Sequence, residues 1–302
     1  MTSSEQQSQT LAFFRTAASQ WQERSQGKLA DTVDVVAQRN GAVLALLKEM
    51  GGIEKFLDMG CGTGQLVVEM ARQGVAECVG VDFAPEMIAL CEENRAKAGV
   101  DNARFQTGSV LDLEEDGGDR WNVIGAMGLL EYLSPAEQKR LLAKCFRLLA
   151  PGGALVVGAR NRLYNLFSLN KFTQREIDKG TVSALLSEAV ALGDSSSVQE
   201  AIRQVKQAAG DYPVMDEHEY TGIGVNTRHQ HTPGELILAA EAHGFRADAI
   251  LPIHYHALPG SIKEQQLSMH VEISNAVHHM AAREPRLVPF SSTFVLVLGK
   301  GS

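Results

Sequence analysis

The sequence predicts an α/β fold: a seven-stranded, mostly parallel sheet with helices on both faces and helical insertions over one edge. Three observations predict it. From residue 53 to about 160, short apolar runs alternate with longer stretches of helical period, the pattern of parallel strands joined by crossover helices. Within that stretch, Phe56-Leu57-Asp58-Met59 runs straight into Gly60-Cys61-Gly62-Thr63-Gly64. A segment with Leu66, Val67, Met70 and Ala71 at helical spacing follows, so strand, tight turn and helix come in direct succession. Finally, a β-rich run from Ser292 to Leu298 closes the chain, and no second alternating core follows.

In order, residues 1–50 predict two helices. The first carries Leu11, Phe13, Phe14, Ala17, Ala18 and Trp21 on one face. Gly27 interrupts, and the second, from about Asp31 to Met50, buries Val35, Val36, Val43, Leu44 and Leu47. Strands are expected at 54–59, Cys78–Asp82, Ala103–Thr107, Trp121–Met127 and Ala154–Ala159. The helix before the fifth strand opens on Ser134-Pro135-Ala136-Glu137, a capping box with proline at the first helical position. Leu141, Leu142, Cys145, Leu148 and Leu149 line its inner side, and Ala150-Pro151-Gly152-Gly153 breaks it. Residues 160–230 leave the alternation. They read as an insertion over the carboxyl edge of the sheet, with helices at 173–192 and 197–209. Thr232-Pro233-Gly234-Glu235 opens another capped helix, which ends near Gly244. A sixth strand spans 247–255. Residues 261–284 read as one helix with Leu267, Val271, Ile273, Ala276, Val277 and Met280 facing inward. The organisation is thus an N-terminal helical lid (1–50) and a main domain (51–302), with insertions at about 160–230 and 260–288.

The 302 residues are 44% hydrophobic and 21% charged, an ordinary globular composition. The net charge of −8 leaves no basic footprint for nucleic acid or an anionic membrane. Cys61, Cys78, Cys91 and Cys145 stand singly, without metal-ligand spacing, and read as reduced thiols of a cytoplasmic protein. The polar start, Thr2 to Thr10, and the lack of an 18-residue apolar run predict neither a leader nor a membrane span.

Glycine in the turn after the first strand reaches backbone angles closed to other residues and lets a ligand approach the main chain. The spacing is Gly-x-Gly-x-Gly, with Gln65 next. A dinucleotide fingerprint needs its third glycine one position later, and a P-loop needs a Gly-Lys-Ser/Thr ending. Asp58-Met59-Gly60-Cys61-Gly62-Thr63-Gly64 instead resembles motif I of the class I S-adenosylmethionine (SAM)-dependent methyltransferases. Asp82-Phe83-Ala84-Pro85-Glu86-Met87, Gly108-Ser109-Val110, Ala126 to Leu133 and Pro151-Gly152-Gly153 continue the resemblance in order. The likeness covers about 50–160 well and 230–300 in outline, and it implies a Rossmann-like fold with SAM as cofactor.

It also implies roles. Asp58 attracts the cofactor's ammonium group, or else caps the turn. Gly60, Gly62 and Gly64 cradle the ligand, with Cys61 a small filler. Asp82 accepts the ribose hydroxyl protons, a role it would equally serve for NAD. Phe83 and Met87 flank the adenine, Met87 being equally readable as helix core. Ser109 stands where the family often has Asp, beside the Val110 amide. A main-chain carbonyl at Ala126 or Met127 meets the ammonium. Trp21 is either core or a lid residue at the pocket mouth.

The implied chemistry is methyl transfer to an oxygen or nitrogen of a small molecule, which needs alignment, dryness and at times a general base. Candidate catalytic residues are His229, Tyr132 and His231, with Glu131 also considered. Tyr132 stands where many relatives carry His. His254 and His256 form a second His-x-His pair on one face of the sixth strand. A metal between the two pairs lacks evident carboxylate partners, so none is expected. Arg160, Arg162, Lys171 and Arg175 could hold a carboxylate or phosphate on the acceptor, or form a solvated face. An NAD(P)-dependent oxidoreductase and a non-catalytic SAM-binding protein are the competing readings.

Overall fold

The computed structural model describes residues 3–25, 33–113, 121–212, 225, 228–281 and 283–301. The chain opens with α1 (Ser3–Ser25) and α2 (Val35–Met50). It continues with β1 (Lys55–Met59), α3 (Gln65–Arg72), β2 (Glu77–Asp82), α4 (Pro85–Ala98), β3 (Ala103–Thr107), β4 (Trp121–Met127), α5 (Pro135–Leu148) and β5 (Leu149–Arg160). The helices α6 (Asn165–Ser168), α7 (Lys171–Asp178), α8 (Val182–Gly193), α9 (Val198–Ala208) and α10 (Pro233–Glu241) follow. The chain ends with β6 (Phe245–Tyr255), α11 (Gly260–Lys263), α12 (Leu267–Ala281) and β7 (Ser291–Lys300).

The seven strands form one sheet in the order β3-β2-β1-β4-β5-β7-β6. Strands β1 to β5 pair in parallel, and β7 runs antiparallel to both β5 and β6. Strand β6 therefore points the same way as β1 to β5, and its carboxyl end reaches the same edge. The strand order reverses between β1 and β4, where open α/β sheets leave a crevice for ligands.

Alternation of side chains sends the strands' apolar residues to two cores. Leu57, Met59, Val79, Val81, Ile124 and Leu155 pack with Leu141, Leu142 and Cys145 of α5 and with α8 to α10. Phe56, Cys78, Val123, Val156 and Val295 pack with Val43 and Leu47 of α2 and with α3. Asp58 falls on the second face, towards α2.

The expected strands and the capped helices α5 and α10 are present; both capping boxes are complete. Four expectations are corrected. β5 starts at Leu149, not Ala154, because Leu149 already pairs with Trp121 ahead of a register irregularity. The helix expected at 173–192 is two, α7 and α8, divided where Gly180 turns to φ +70°. That expected at 261–284 is also two, α11 and α12. The inner side of α12 is not the apolar one: His270 and Ser274 are buried, whereas Leu267 and Met280 are exposed. Gln38 of α2 donates towards Ser274 and Asn275 here, so polar pairing sets the helix rotation. Gly27 and Asp31, the expected break and second helix start, lie outside the described residues; Asp34 caps α2 by accepting from the Ala37 amide at 2.8 Å.

Two buried carboxylates fasten the insertion. Glu176 of α7 accepts from Arg162 Nε at 3.0 Å and Nη2 at 2.9 Å, and from Asn165 at 2.8 Å. Glu188 of α8 accepts from Tyr212, from Thr232 Oγ1 at 2.8 Å and from the Gly234 amide at 3.2 Å, tying α8 to the start of α10. Removing one partner of a buried pair leaves the other charge without compensation. Glu176→Ala should therefore destabilise the fold by about 3–5 kcal/mol in urea unfolding, and Glu176→Gln by less.

Candidate active site

A cavity of about 520 Å³ opens at the carboxyl edge of the sheet, over the point where the strand order reverses. The turn after β1 forms one wall. Gly60, Gly62 and Gly64 adopt φ of +75°, +55° and +75°, a left-handed region that favours glycine. The Gly60 and Cys61 amides donate to Val81 O at 2.8 and 3.1 Å, which folds the turn onto β2. Gly60, Cys61 and Gly62 line the cavity. Gly64 does not: a Cβ there would sit 2.7 Å from the Phe105 ring, so its bareness serves packing at the start of α3. The Cys61 thiol lies 3.9 Å from that of Cys91, and burial raises its pKa, so it is an inert filler.

Asp58 and Asp82 face this wall and do different work. Asp58 pairs in register with Gly80 on one side and Gly125 on the other. A Cβ on Gly125 would come within 2.8 Å of Asp58 Oδ1, so the carboxylate occupies space that the neighbouring strand leaves free. Oδ1 is buried and has no hydrogen-bond partner. Burial pushes the Asp58 pKa up to about 7; the Arg39 guanidinium opposes this and Asp82 reinforces it. Asp82 accepts from the Gly62 amide at 2.9 Å and the Ala84 amide at 3.0 Å. Burial raises its pKa to about 6 despite those amides. The carboxylate that braces the glycine turn is thus Asp82.

Phe83, Met87, Ser109, Val110 and Met127 also line the cavity. Ala126 does not; it points into the core beneath α5. Ser109 Oγ accepts from the Leu111 amide at 3.3 Å, closing the turn after β3. Helix α1 covers the opening. Phe14 packs edge-on against Trp21 (5.5 Å), Tyr132 (5.3 Å) and Phe83 (6.4 Å), and Gln6 donates to the Tyr132 carbonyl at 2.8 Å. Trp21 lines the cavity above Gly62.

The opposite end is cationic. Arg160 and Arg228 line it around Glu131, which accepts from Arg228 Nε and lies 4.0 Å from Arg160 Nε, and Arg39 stands within electrostatic reach of both Glu131 and Asp58. Burial lowers the Arg160 pKa to about 10, so it stays charged at neutral pH. Of the other cations expected here, Arg162 is committed to Glu176, and Lys171 and Arg175 do not line the cavity.

Residues 228–231 run beside the end of β5, with Arg162 N donating to His231 O and His231 N to Arg160 O, both at 2.9 Å. Their side chains alternate. Arg228 and Gln230 line the cavity, whereas His229 and His231 are buried and do not. This corrects the expectation of a base at His229 or His231: the segment is the right one, but the imidazoles lie on its other face. Burial also pulls the His231 pKa down to about 3. Tyr132 does line the cavity, but burial first and Glu131 second push its pKa well above the usual phenol value, so its hydroxyl is not a base. Glu131 is engaged by its arginines. The imidazoles that line the cavity are His254 and His256. His229 and His231 take no part in the cluster they form with His270.

Arg39, Asn40, Arg228 and His270 were not singled out from the sequence. Arg228 and Gln230 could have been found by taking alternation through 228–231, in step with His229 and His231.

Residues 56–153 match a family model described as a methyltransferase domain. A ubiquinone biosynthesis O-methyltransferase of Azorhizobium caulinodans is 30% identical over 152 residues, 49% of this chain and 58% of that protein. One of Psychrobacter arcticus is 26% identical over 238 residues, 77% of this chain and 72% of its own. The chain thus spans little more than half the length of most of the curated relatives it matches. Among solved structures, the 1,6-didemethyltoxoflavin-N1-methyltransferase of Burkholderia thailandensis shares the fold, with a TM-score of 0.56 and 15% identity over 100% of this chain and 92% of its own. The glycine turn, the two carboxylates at the strand-order reversal, the antiparallel β7 and these likenesses agree: residues 56–153 carry a methyltransferase domain of the class I SAM-dependent kind.

Proposed function

We propose that the protein transfers a methyl group from SAM to a small-molecule acceptor, at an oxygen in the first instance and at a nitrogen as the second option. The observation that carries the reading is the unpartnered, buried Asp58 Oδ1 in a cavity whose other end is cationic. A buried carboxylate without a partner calls for a cation or a donor, and SAM carries both an ammonium group and a sulfonium. A dinucleotide would instead set its pyrophosphate at the glycine turn, beside Asp58, so the electrostatics there disfavour the oxidoreductase reading.

In this reading Asp58 and the glycine turn hold the amino-acid end of the cofactor. Asp82 takes the ribose hydroxyls with the lone pairs its two amides leave free. Phe83, Met87, Ser109 and Val110 enclose the adenine, and α1 acts as a lid through Phe14 and Trp21, whereas α2 belongs to the second core. Bound SAM supplies a methyl group on sulfur that is open to in-line displacement. The chain's own part is to align the acceptor and exclude water. Arg160, beside Tyr164, Asn165 and Gln230, favours the ionised form of an acceptor hydroxyl and suits an acceptor carboxylate or phosphate. Oxygen is preferred because the curated relatives are named O-methyltransferases. A cavity of about 520 Å³ suits a small acceptor beside the cofactor.

Three outcomes test this. S-adenosylhomocysteine should raise the melting temperature while NAD leaves it unchanged, and labelled SAM should mark a product in a metabolite extract. Cofactor binding without transfer to any acceptor would favour the non-catalytic reading. Asp82→Ala should weaken S-adenosylhomocysteine binding more than tenfold with far-UV circular dichroism intact. The third outcome concerns pH. In the free protein Asp58 keeps its proton up to about pH 7, and a ligand ammonium favours the ionised form. Affinity should therefore rise about tenfold from pH 6 to pH 8 with proton release in calorimetry. Asp58→Asn should flatten that rise.

A further inference from the structure

We propose that His254, His256 and His270 form a three-imidazole site for a divalent first-row metal ion, zinc by preference, at the acceptor end of the cavity. One ligand nitrogen from each of the three lies within 4.8 Å of the others. His254 Nε2 and His270 Nε2 are 3.1 Å apart. Two nitrogens on one tetrahedral zinc ion, each 2.0–2.1 Å from it, stand about 3.3 Å apart, so little movement closes the site. His254 Nδ1 meets Ser292 Oγ at 2.9 Å. A bond on the far nitrogen of this kind fixes the tautomer of a metal-binding imidazole and leaves Nε2 as its ligand atom.

Three further features point the same way. Both ring nitrogens of His256, and Nδ1 of His270, are buried without a hydrogen-bond partner. Buried polar atoms are ordinarily satisfied, and an ion would satisfy one of the two on His256. His254 holds φ +58° inside a strand, the kind of backbone outlier that persists where the surroundings impose it. Helix α12 buries His270 while leaving Leu267 and Met269 exposed, so its rotation favours the imidazole over its apolar residues. The three rings thus come from β6 (His254), from the residue just past its end (His256) and from α12 (His270).

Three protein ligands and an open fourth position are the arrangement of catalytic rather than structural zinc. His254 and His256 line the cavity, so the open position faces the acceptor. Lys263 and Arg160 add positive charge beside the rings, and Glu264 stands next to Lys263. A surplus of positive charge favours an ion that carries an anionic fourth ligand: hydroxide, or an ionised oxygen of the acceptor. Metal binding itself does not rest on the methyl-transfer reading, because it is measured without cofactor or acceptor.

The test uses the untagged full chain, stripped with a chelator and titrated with zinc chloride by calorimetry. One equivalent should bind. His256→Ala and His270→Ala should each abolish that binding, and Ser292→Ala should weaken it about tenfold. His243→Ala, at the end of α10, should change nothing. Cobalt(II) should give the visible absorption of a four-coordinate ion in the parent chain and lose it in His270→Ala. Circular dichroism checks each fold, and His270→Asn replaces any alanine variant that does not fold. No zinc uptake by the parent chain, or uptake unaffected by the His256 and His270 substitutions, would overturn the site and leave the three rings as stacked packing.

Discussion

The structure turns on a carboxylate that has been taken out of water without a full partner. Burying an ionised group costs several kcal/mol unless it is paired, and Arg39, the nearest counter-charge, is itself buried with an unpartnered Nε. Much of the surrounding design follows from that one side chain. Its neighbours in register on both sides are glycines: Gly125 leaves the room Asp58 needs, and Gly80 makes way for Phe105 and Cys61. Helix α2 packs on that face of the sheet and brings Arg39 across it. The turn after β1 is braced by Asp82, so Asp58 Oδ1 is left without a hydrogen bond while the residue lines the cavity. A site built this way is costly when empty of a cation and relieved when one enters, which is how ligand binding and stability become coupled.

Sequence pattern carried the sheet well, because period-two apolar runs bounded by glycine and capping residues leave few alternatives. The first cavity wall was equally legible: Asp58, Gly60, Cys61, Gly62, Asp82, Phe83, Met87, Ser109, Val110, Met127 and Trp21 all line it. They follow the ends of consecutive strands, so local order in the chain already places them together. The second wall was not legible, for the opposite reason. Arg39, Arg228 and the β6 histidines come from elements far apart in sequence, joined only by the way β7 slots between β5 and β6. His229 and His231 drew attention by their chemistry, yet alternation beside β5 turns them inward and gives the cavity Arg228 and Gln230. Gly64 belongs to the motif by position but serves packing, as does the side chain of Ala126. Helix α12 misled because its apolar spacing is real while the face it buries is polar.

The insertion between β5 and α10 shows how polar groups can substitute for a larger core. Glu176 and Glu188 are buried, and each gathers donors from two or more separate stretches of chain. Such networks stabilise only when every member is satisfied, so they fix geometry strictly. That strictness matters here, because Asn165 reaches from the Glu176 network into the cavity wall and Arg160 stands just before it. The position of the acceptor-side cation is thereby tied to α7.

The two ends of the cavity carry opposite charge, and this asymmetry bears directly on the proposed reaction. Displacement at a sulfonium by an ionised oxygen turns two charged reactants into two neutral products. A site that desolvates both ions gains in rate only if it binds each one against its own counter-charge until they meet. In the proposed reading Asp58 would do this for the cation, and Arg160 with its neighbours for the anion. A zinc ion on His254, His256 and His270 would add to the second term and leave the first untouched. The carboxylates are set by β1 and β2, and the cations by β5, β6 and the insertion. Selection can therefore retune the acceptor end through the β5–β7–β6 side of the sheet without disturbing the strand-order reversal that holds the donor.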